Sequence, residues 1–312
     1  MGALEAARAE ARAHDEPARH LLGYGLAVAA ASLWAIGGVF AKMAFARGVP
    51  PAELAQVRIG LGFVMFALIV AAFRPKAGRV ARRHVPLLIA FGVIGMAGVQ
   101  LTYYEAIKRL PVVLALLIQY LGPLFVLVYV WLRGRKVGGR LWIAALLTLV
   151  GCYFALGAYD ANLLDVNLEG ALIALLSAGI FAFYLLVGER IVRAYSALTL
   201  LLYGFGIAAV AWTLLRPWWT LPFASWDGAT YLLIAGVAIV GTLLPFFLSS
   251  TALTMLPATR VGLAETMEPV VAGIAAFVVL GEALAGPQLA GAALVLSGIA
   301  LARSVQPTID GV

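Results

Sequence analysis

The sequence is short of charge and nearly free of cysteine. Only 12% of its 312 residues are charged and 63% are hydrophobic, whereas a typical soluble domain has roughly 25% charged residues. A water-soluble fold of this composition would have too little polar surface to cover its core. Because Cys152 is the only cysteine, an internal disulfide and a cysteine-based metal cluster are both excluded.

Histidine is also scarce, and it is absent from the apolar runs. His14, His20 and His84 lie in polar stretches, and there is no His-Glu-x-x-His pattern. An intramembrane hydrolase would need a metal site, a defined acid pair or a Ser/His pair. We therefore predict that the protein is not an enzyme and that it uses neither a metal nor another cofactor.

Ten apolar runs account for most of the chain. A membrane span needs about 20 apolar residues, and the sequence predicts an all-α integral membrane protein with ten transmembrane helices. The runs lie near 21–45, 52–73, 85–107, 112–132, 141–157, 170–187, 197–215, 229–253, 261–280 and 287–302. Residues 1–20 are polar and have no apolar signal-peptide core, so we expect the first helix to be retained.

The net charge of +7 lies in short loops between the runs. If the N-terminus is cytoplasmic, most lysines and arginines fall on that side, and the segment 158–169 on the other side contains none. This bias predicts that both termini are cytoplasmic, as expected for a multi-pass protein of a bacterial inner membrane. It also argues against nucleic acid as a partner.

The two halves of the chain resemble each other. Residues 106–123 align with residues 252–269 so that Pro111 matches Pro257 and Pro123 matches Pro269. Chance similarity between apolar segments is the alternative, but paired prolines at equal spacing disfavour it. Five helices per half is an odd number, which predicts two repeats of opposite orientation, as in many secondary transporters. The predicted units are a tail at 1–20, a first repeat at 21–157, a linker at 158–169, a second repeat at 170–304 and a tail at 305–312.

Several of these motifs resemble the EamA repeat of the drug/metabolite transporter superfamily. In the second half they are Leu256-Pro257, Glu268-Pro269, Leu280-Gly281-Glu282 and Gln288-Leu289-Ala290-Gly291-Ala292. In the first half, a more diverged copy runs from Ser32-Leu33-Trp34 through Gly122-Pro123 to Gly151, with Arg135-Lys136 in place of Glu282. The resemblance implies a ten-helix permease that works by alternating access. It is closest to the amino-acid exporters of that superfamily, of both the aromatic and the threonine/homoserine types.

Two glutamates lie inside the ninth run. Acidic residues inside a span are costly and are functional candidates by default. Glu268 lies about 12 Å beyond Arg260 along a helix, near the midplane, and three residues from Glu265, which predicts a shared face. Glu268 is expected to bind a substrate ammonium group or a coupling proton. The alternative is that both glutamates are structural, bonded to neighbouring side chains or backbone.

Other polar, aromatic and proline residues complete the candidate site. The substrate-binding candidates are Trp34, Gln100, Tyr103, Gln119, Phe181, Tyr184, Phe246, Glu265 and Glu268, and the hinge candidates are Pro123, Pro245 and Pro269. Met96, Gln100, Tyr103 and Ile107 have helical spacing and predict one stripe on the third helix. Packing is the alternative for each aromatic residue, and a static kink for each proline. Glu53 and Arg58 are interpreted as partners of interfacial groups.

These features predict an exporter of small metabolites, with neutral or aromatic amino acids favoured. Drugs or other metabolites are the alternative substrates. Nucleotide sugars fit less well, because their phosphates call for basic residues where this sequence has mid-membrane acids. A membrane scaffold without transport is the other alternative. The expected partners are a small-molecule substrate, protons if transport is coupled, and the lipid bilayer, and the expected assembly is a monomer or homodimer.

The predicted orientation can be tested by cysteine labelling. In a Cys152→Ser background, single cysteines in segments 74–84 and 133–140 should resist an impermeant thiol reagent applied to intact cells, because they face the cytoplasm. A cysteine in segment 158–169 should react. The reverse labelling pattern would contradict both the orientation and the inverted repeat.

Overall fold

The computed structural model of the protein describes residues 2–160, 167–280 and 285–305. No residue in these ranges lies in a β-strand, and the chain folds as an assembly of packed helices. Part of the predicted linker (161–166), the Gly281-Glu282 motif and most of the C-terminal tail (306–312) lie outside the described residues.

Fourteen α-helices follow the apolar runs in these ranges. They are α1 (Gly2–Ala46), α2 (Pro51–Phe73), α3 (Val85–Ala90), α4 (Val99–Ile107), α5 (Val112–Gln119), α6 (Gly122–Leu132), α7 (Gly139–Ala155), α8 (Leu168–Ala194), α9 (Ala197–Leu215), α10 (Gly228–Ala238), α11 (Leu244–Ala252), α12 (Ala258–Glu265), α13 (Glu268–Leu280) and α14 (Gly286–Ser304). Two π-helical segments, Phe91–Gly98 and Ile239–Leu243, connect α3 to α4 and α10 to α11.

Seven helical segments of the described chain are long and apolar enough to cross a membrane. They are Pro17–Ala46, Pro51–Phe73, Arg82–Ile107, Val112–Leu132, Leu168–Ala194, Ala197–Leu215 and Gly228–Ala252. Helix α7 is apolar but shorter. The all-helical membrane fold is therefore confirmed, with a helix at each predicted run.

The sixth predicted run, 170–187, was too short. Helix α8 continues to Ala194 and is 27 residues long. The sequence estimate stopped at the charged pair Glu189-Arg190, but Glu189 is buried and tolerated because its carboxylate accepts hydrogen bonds from the Ala258 N–H, at 2.9 Å, and from Arg193. A satisfied buried carboxylate does not end a helix.

Side-chain caps position several helix starts on the polar ends of the bundle. Asn167 accepts a hydrogen bond from the Gly170 N–H at 2.9 Å, and Asp227 accepts one from the Thr230 N–H at 2.8 Å. These contacts satisfy N–H groups that have no partner within the helix. Hydrogen bonds from Thr230 also lower the pKa of the Asp227 carboxyl, which keeps it ionised at the helix N-terminus.

The core is contiguous across the halves of the chain. Helix α1 packs against α10 to α13, α2 against α9, and α8 against α4, α5 and α6. Buried residues of the main core include Phe66, Phe91, Leu185, Leu200 and Phe205. This arrangement surrounds the middle of the bundle with residues from both halves.

Small residues let helices approach closely at two places. A Cβ at Gly291 of α14 would lie 2.4 Å from the Ala155 backbone nitrogen of α7, and one at Gly37 of α1 would lie 2.3 Å from the Gly241 Cα. Neither distance leaves room for a side chain. Close backbone approach of this kind replaces the hydrophobic driving force that lipid removes.

Gly291→Ala is expected to lower the melting temperature of the detergent-purified protein by several degrees. Forcing an extra methyl group against a rigid backbone costs about 1–3 kcal/mol. Gly179→Ala on α8 is the matched control, because a Cβ there meets nothing within 4 Å. A thermal-shift measurement in which both variants behave alike would contradict the close α7–α14 packing.

Candidate functional site

Two spans are broken near their middle, at matching positions in the halves. Helix α5 ends at Gln119 and α6 starts at Gly122, while α12 ends at Glu265 and α13 starts at Glu268. Pro123 and Pro269 are the second residues of α6 and α13. A proline is tolerated there, because the first turn of a helix needs no intrahelical N–H donor.

The helix break changes the geometry expected for the two glutamates. The prediction of a shared face assumed a continuous ninth helix and was wrong on that point, because Thr266 and Met267 separate α12 from α13. Glu268 instead opens a new helix, where the helix dipole favours a negative charge. The two carboxyls still lie close enough to interact electrostatically.

Glu265 is bonded within the protein. Its side chain is buried and accepts a 2.6 Å hydrogen bond from Ser249 Oγ on α11. The Tyr184 ring lies nearby, while the second carboxylate oxygen, Oε2, has no hydrogen-bond partner among the described residues. Glu265 thus combines a structural contact with one unused acceptor.

Glu268 is only partly buried and stands among polar groups from three other helices. Its neighbours are Tyr120 in the α5–α6 break, Arg58 of α2, Tyr103 of α4 and Cys152 of α7. The Tyr120 hydroxyl faces the carboxyl but makes no hydrogen bond of good geometry with it. The acidic group therefore has an accessible face, and these neighbours all come from the first half of the chain, opposite its own half.

Four of the predicted aromatic residues form one cluster. Trp34 meets Phe246 edge to face with ring centroids 5.3 Å apart, Tyr184 meets Phe246 at 6.1 Å, and Phe181 stacks on Tyr184 at 6.0 Å. Trp34 and Phe181 are partly exposed, whereas Tyr184 and Phe246 are buried. Tyr103 lies outside this cluster, against Tyr104 and near Glu268.

The predicted glutamines have different surroundings. Gln119 donates a 3.0 Å hydrogen bond from Nε2 to Ser177 Oγ on α8, next to the α5–α6 break. Gln100 is partly exposed on α4, and its side chain makes no hydrogen bond to the described residues. The stripe predicted from Met96 to Ile107 assumed α-helical spacing, which the π-helical segment 91–98 interrupts near Met96. Met96 nevertheless lies in the main core, against which Tyr103 and Ile107 also pack.

Pro245 lies at a third interruption. It is the buried second residue of α11, directly after the π-helical segment Ile239–Leu243. The matching segment of the first half, Phe91–Gly98, is also π-helical but has no proline. All three hinge candidates therefore stand where regular α-helix is interrupted.

Arg58 was misjudged from the sequence, whereas Glu53 was not. Glu53 forms an interfacial ion pair with Arg216 at 2.5 Å. Arg58 lies five residues after Glu53 on α2, so its side chain is rotated by about 140° around the helix and lies about 7.5 Å further into the span. This places Arg58 near Glu268. The position of Arg58 inside a predicted span could have identified it from the sequence, because a charge at that depth is a functional candidate by default.

Two surface cavities lie away from the glutamates. One of about 770 Å³ is lined by Arg74, Lys76 and Arg79, and one of about 1040 Å³ is an apolar groove between α2, α9 and α10. Neither is lined by Glu265 or Glu268. Within the described part of the chain, no group of three or more His, Cys, Asp or Glu residues could hold a metal ion.

Known proteins resemble the chain in both sequence and fold. The threonine/homoserine exporter RhtA of Escherichia coli (strain K12) is 30% identical over 266 residues, which are 85% of each chain. An uncharacterized transporter of Archaeoglobus fulgidus is 27% identical over 83% of this chain and 89% of its own. A crystal structure with 22% sequence identity superposes with a TM-score of 0.76, covering 91% of this chain and 96% of that one, and shares the fold.

The family match covers both halves of the chain. The model of the EamA-like transporter family matches residues 21–157 and again residues 168–304. Two copies of one family unit account for the internal resemblance found in the sequence. The chain is a multi-pass membrane protein and belongs to the EamA-like transporter family.

Proposed function

We propose that this protein exports neutral amino acids by alternating access. The observation that carries the proposal is the partly exposed carboxyl of Glu268, held at a mid-span helix break of the second half against residues of the first half. A carboxylate there suits the ammonium group of a substrate. Glu268 lies away from both ends of its span, so an interaction with water or lipid headgroups at the membrane surface does not explain its presence.

The proposed architecture is ten spans in two inverted five-helix repeats, with both termini in the cytoplasm of a bacterial inner membrane. Interruptions at matching positions support it: π-helical segments in the third and eighth runs, and breaks before a proline in the fourth and ninth. Inverted repeats bring broken helices together near the bilayer midplane, where transporters bind their substrates.

The helix breaks also supply a means of changing access. In hydrocarbon, a broken helix is tolerated only where a cavity or a neighbour satisfies the freed backbone groups. We propose that α6 and α13 pivot at Pro123 and Pro269, and α11 at Pro245, so that the half-helices on each side of the site tilt in turn. A few residues at element ends are the usual hinges.

Amino acids are favoured as the substrate class by three features together. RhtA, a relative over most of the chain, is named as an exporter of threonine and homoserine. Glu268 provides a partner for an ammonium group, and the exposed parts of Trp34 and Phe181 provide apolar surface for a side chain. Aromatic and large aliphatic amino acids remain within the proposal, with acidic ones disfavoured by Glu265 and Glu268.

Protons are the proposed coupling partner. Glu265 has one carboxylate oxygen without a hydrogen-bond partner in the described structure, and Glu268 lies close to it. Two nearby carboxyls inside a span oppose each other's ionisation, so substrate binding at one changes the proton affinity of the other. A drug or another cationic metabolite is the second candidate substrate, because the same carboxyl would bind it.

Glu268→Gln should weaken the discrimination between an amino acid and its deaminated analogue. A hydrogen bond to a charged group contributes about 1.5–3 kcal/mol, so the preference should fall by about tenfold or more. The measurement is solute uptake into inside-out membrane vesicles or proteoliposomes, with and without a proton gradient. Threonine and phenylalanine are each compared with the corresponding deaminated acid.

Glu169→Gln is the matched control, since this carboxylate is exposed and pairs with Arg109 at 3.2 Å outside the site. It should retain wild-type selectivity. Wild-type selectivity and wild-type pH response in Glu268→Gln would make Glu268 structural. Transport of an organic cation but of no amino acid by the wild type would favour the second candidate.

A further inference from the structure

Arg58 is a charged side chain deep in a span, with no partner in the described part of the protein. It lies seven residues into α2, about 10 Å from the helix start, and it makes no hydrogen bond or ion pair with a described residue. Its Nε is buried and unsatisfied. Charged groups inside spans normally pair or serve function, and elsewhere on α2 Glu53 does pair, with Arg216.

The groups that face Arg58 are those of the proposed site. Glu268 and the Tyr103 hydroxyl both lie within range of its electrostatic influence. The guanidinium and the Glu268 carboxyl nevertheless form no ion pair, so their nearest nitrogen and oxygen atoms are more than 4.0 Å apart. Two groups of opposite charge therefore lie near each other inside the bundle without direct contact.

A zwitterion matches this arrangement better than a singly charged solute does. The carboxylate of an amino acid can accept two parallel hydrogen bonds from a guanidinium, while its ammonium group meets Glu268. A cation or an anion alone would leave one protein charge inside the span without a partner, which is unfavourable. The net charge of the pair is zero, as is that of a neutral amino acid.

We propose that Arg58 binds the α-carboxylate of the transported amino acid and, together with Glu268, selects zwitterions. This inference rests on the proposed function, because it assigns the second charged contact of the same site. It also assigns one residue to the recognition of each charged group of the substrate. Arg58 rejects solutes that lack a carboxylate, and Glu268 rejects solutes that lack an ammonium group.

The test compares three forms of one solute in proteoliposomes: threonine, its carboxamide and its deaminated acid. The wild type should prefer threonine over both analogues. In Arg58→Gln, the preference for threonine over the carboxamide should fall by about tenfold or more. The preference for threonine over the deaminated acid should stay at the wild-type value. Arg58→Lys, which keeps the charge but not the fork geometry, should retain part of the preference.

Arg47→Gln is the matched control. Arg47 pairs with Asp227 at 3.1 Å on the exposed surface, so the variant loses one positive charge without touching the site. It should show wild-type ratios for all three solutes. Because the readout is a ratio between solutes on the same vesicles, a lower folded yield of an Arg58 variant does not change it.

The outcomes separate the two proposals. If the wild type transports no amino acid, the proposed function fails. If the wild type transports threonine and Arg58→Gln keeps the full preference over the carboxamide, Arg58 does not bind the carboxylate and this inference alone is overturned. An equal loss of both preferences in Arg58→Gln would also overturn it, since that result indicates general damage to the site.

Discussion

Hydrocarbon cannot hydrogen-bond, and the arrangement of this protein follows from that one constraint. Every N–H, C=O or charge inside the bilayer must find a partner within the protein, in a cavity or in a bound solute. A helix break such as Thr266–Met267 is therefore tolerable only where the bundle surrounds it. The close approaches at Gly37 and Gly291 bring helices near enough to provide that cover.

The same constraint separates the structural charges from the proposed functional ones. Glu53 and Glu189 are buried, and each pairs with an arginine. Glu189 also accepts a hydrogen bond from a backbone N–H, whereas Oε2 of Glu53 has no hydrogen-bond partner among the described residues. Glu265 is half satisfied by Ser249. Arg58 and Glu268 have no comparable contacts, and no ion pair joins them. In the proposal, the solute provides the missing partners and is selected because it does so.

In the proposed mechanism, the helix breaks connect this site to motion. A continuous helix transmits tilt along its whole length, whereas a break at Thr266–Met267 would let α12 and α13 reorient separately. Pro269 stabilises the break, because its ring prevents a continuous α-helix through this point. Since Glu268 is the first residue of α13, any tilt of that half-helix moves the carboxyl directly. Substrate binding and access change are thus coupled through a single residue in the proposed mechanism.

Much of the fold could be predicted from composition and hydrophobic runs, since bilayer thickness and backbone satisfaction leave few alternatives. The internal repeat was visible because paired prolines at Pro123 and Pro269 mark equivalent breaks. Periodicity assumes a continuous α-helix, and that assumption was wrong at the π-helical segment 91–98 and at the Thr266–Met267 break. Sequence spacing does not reveal such local departures.

Side-chain partners were the other part that sequence could not supply. The contact between Ser249 and Glu265, and the approach of Arg58 to Glu268, join residues of different helices. Which side chains of different helices meet is decided by how the helices pack, and sequence spacing does not reveal it. The depth of a charged residue within its predicted span could be estimated from the sequence, however. On that ground Arg58 was as strong a candidate for the site as Glu268, because both charges lie well inside a span.

A structure of the protein in a lipid nanodisc with a saturating neutral amino acid is the most direct test of the account. It should contain the amino acid at the α12–α13 break, with its ammonium group in hydrogen-bond contact with Glu268 and its carboxylate in contact with Arg58. An amino acid bound elsewhere, for example in the apolar groove between α2, α9 and α10, would contradict the account. So would a direct Arg58–Glu268 ion pair that excludes the bound solute.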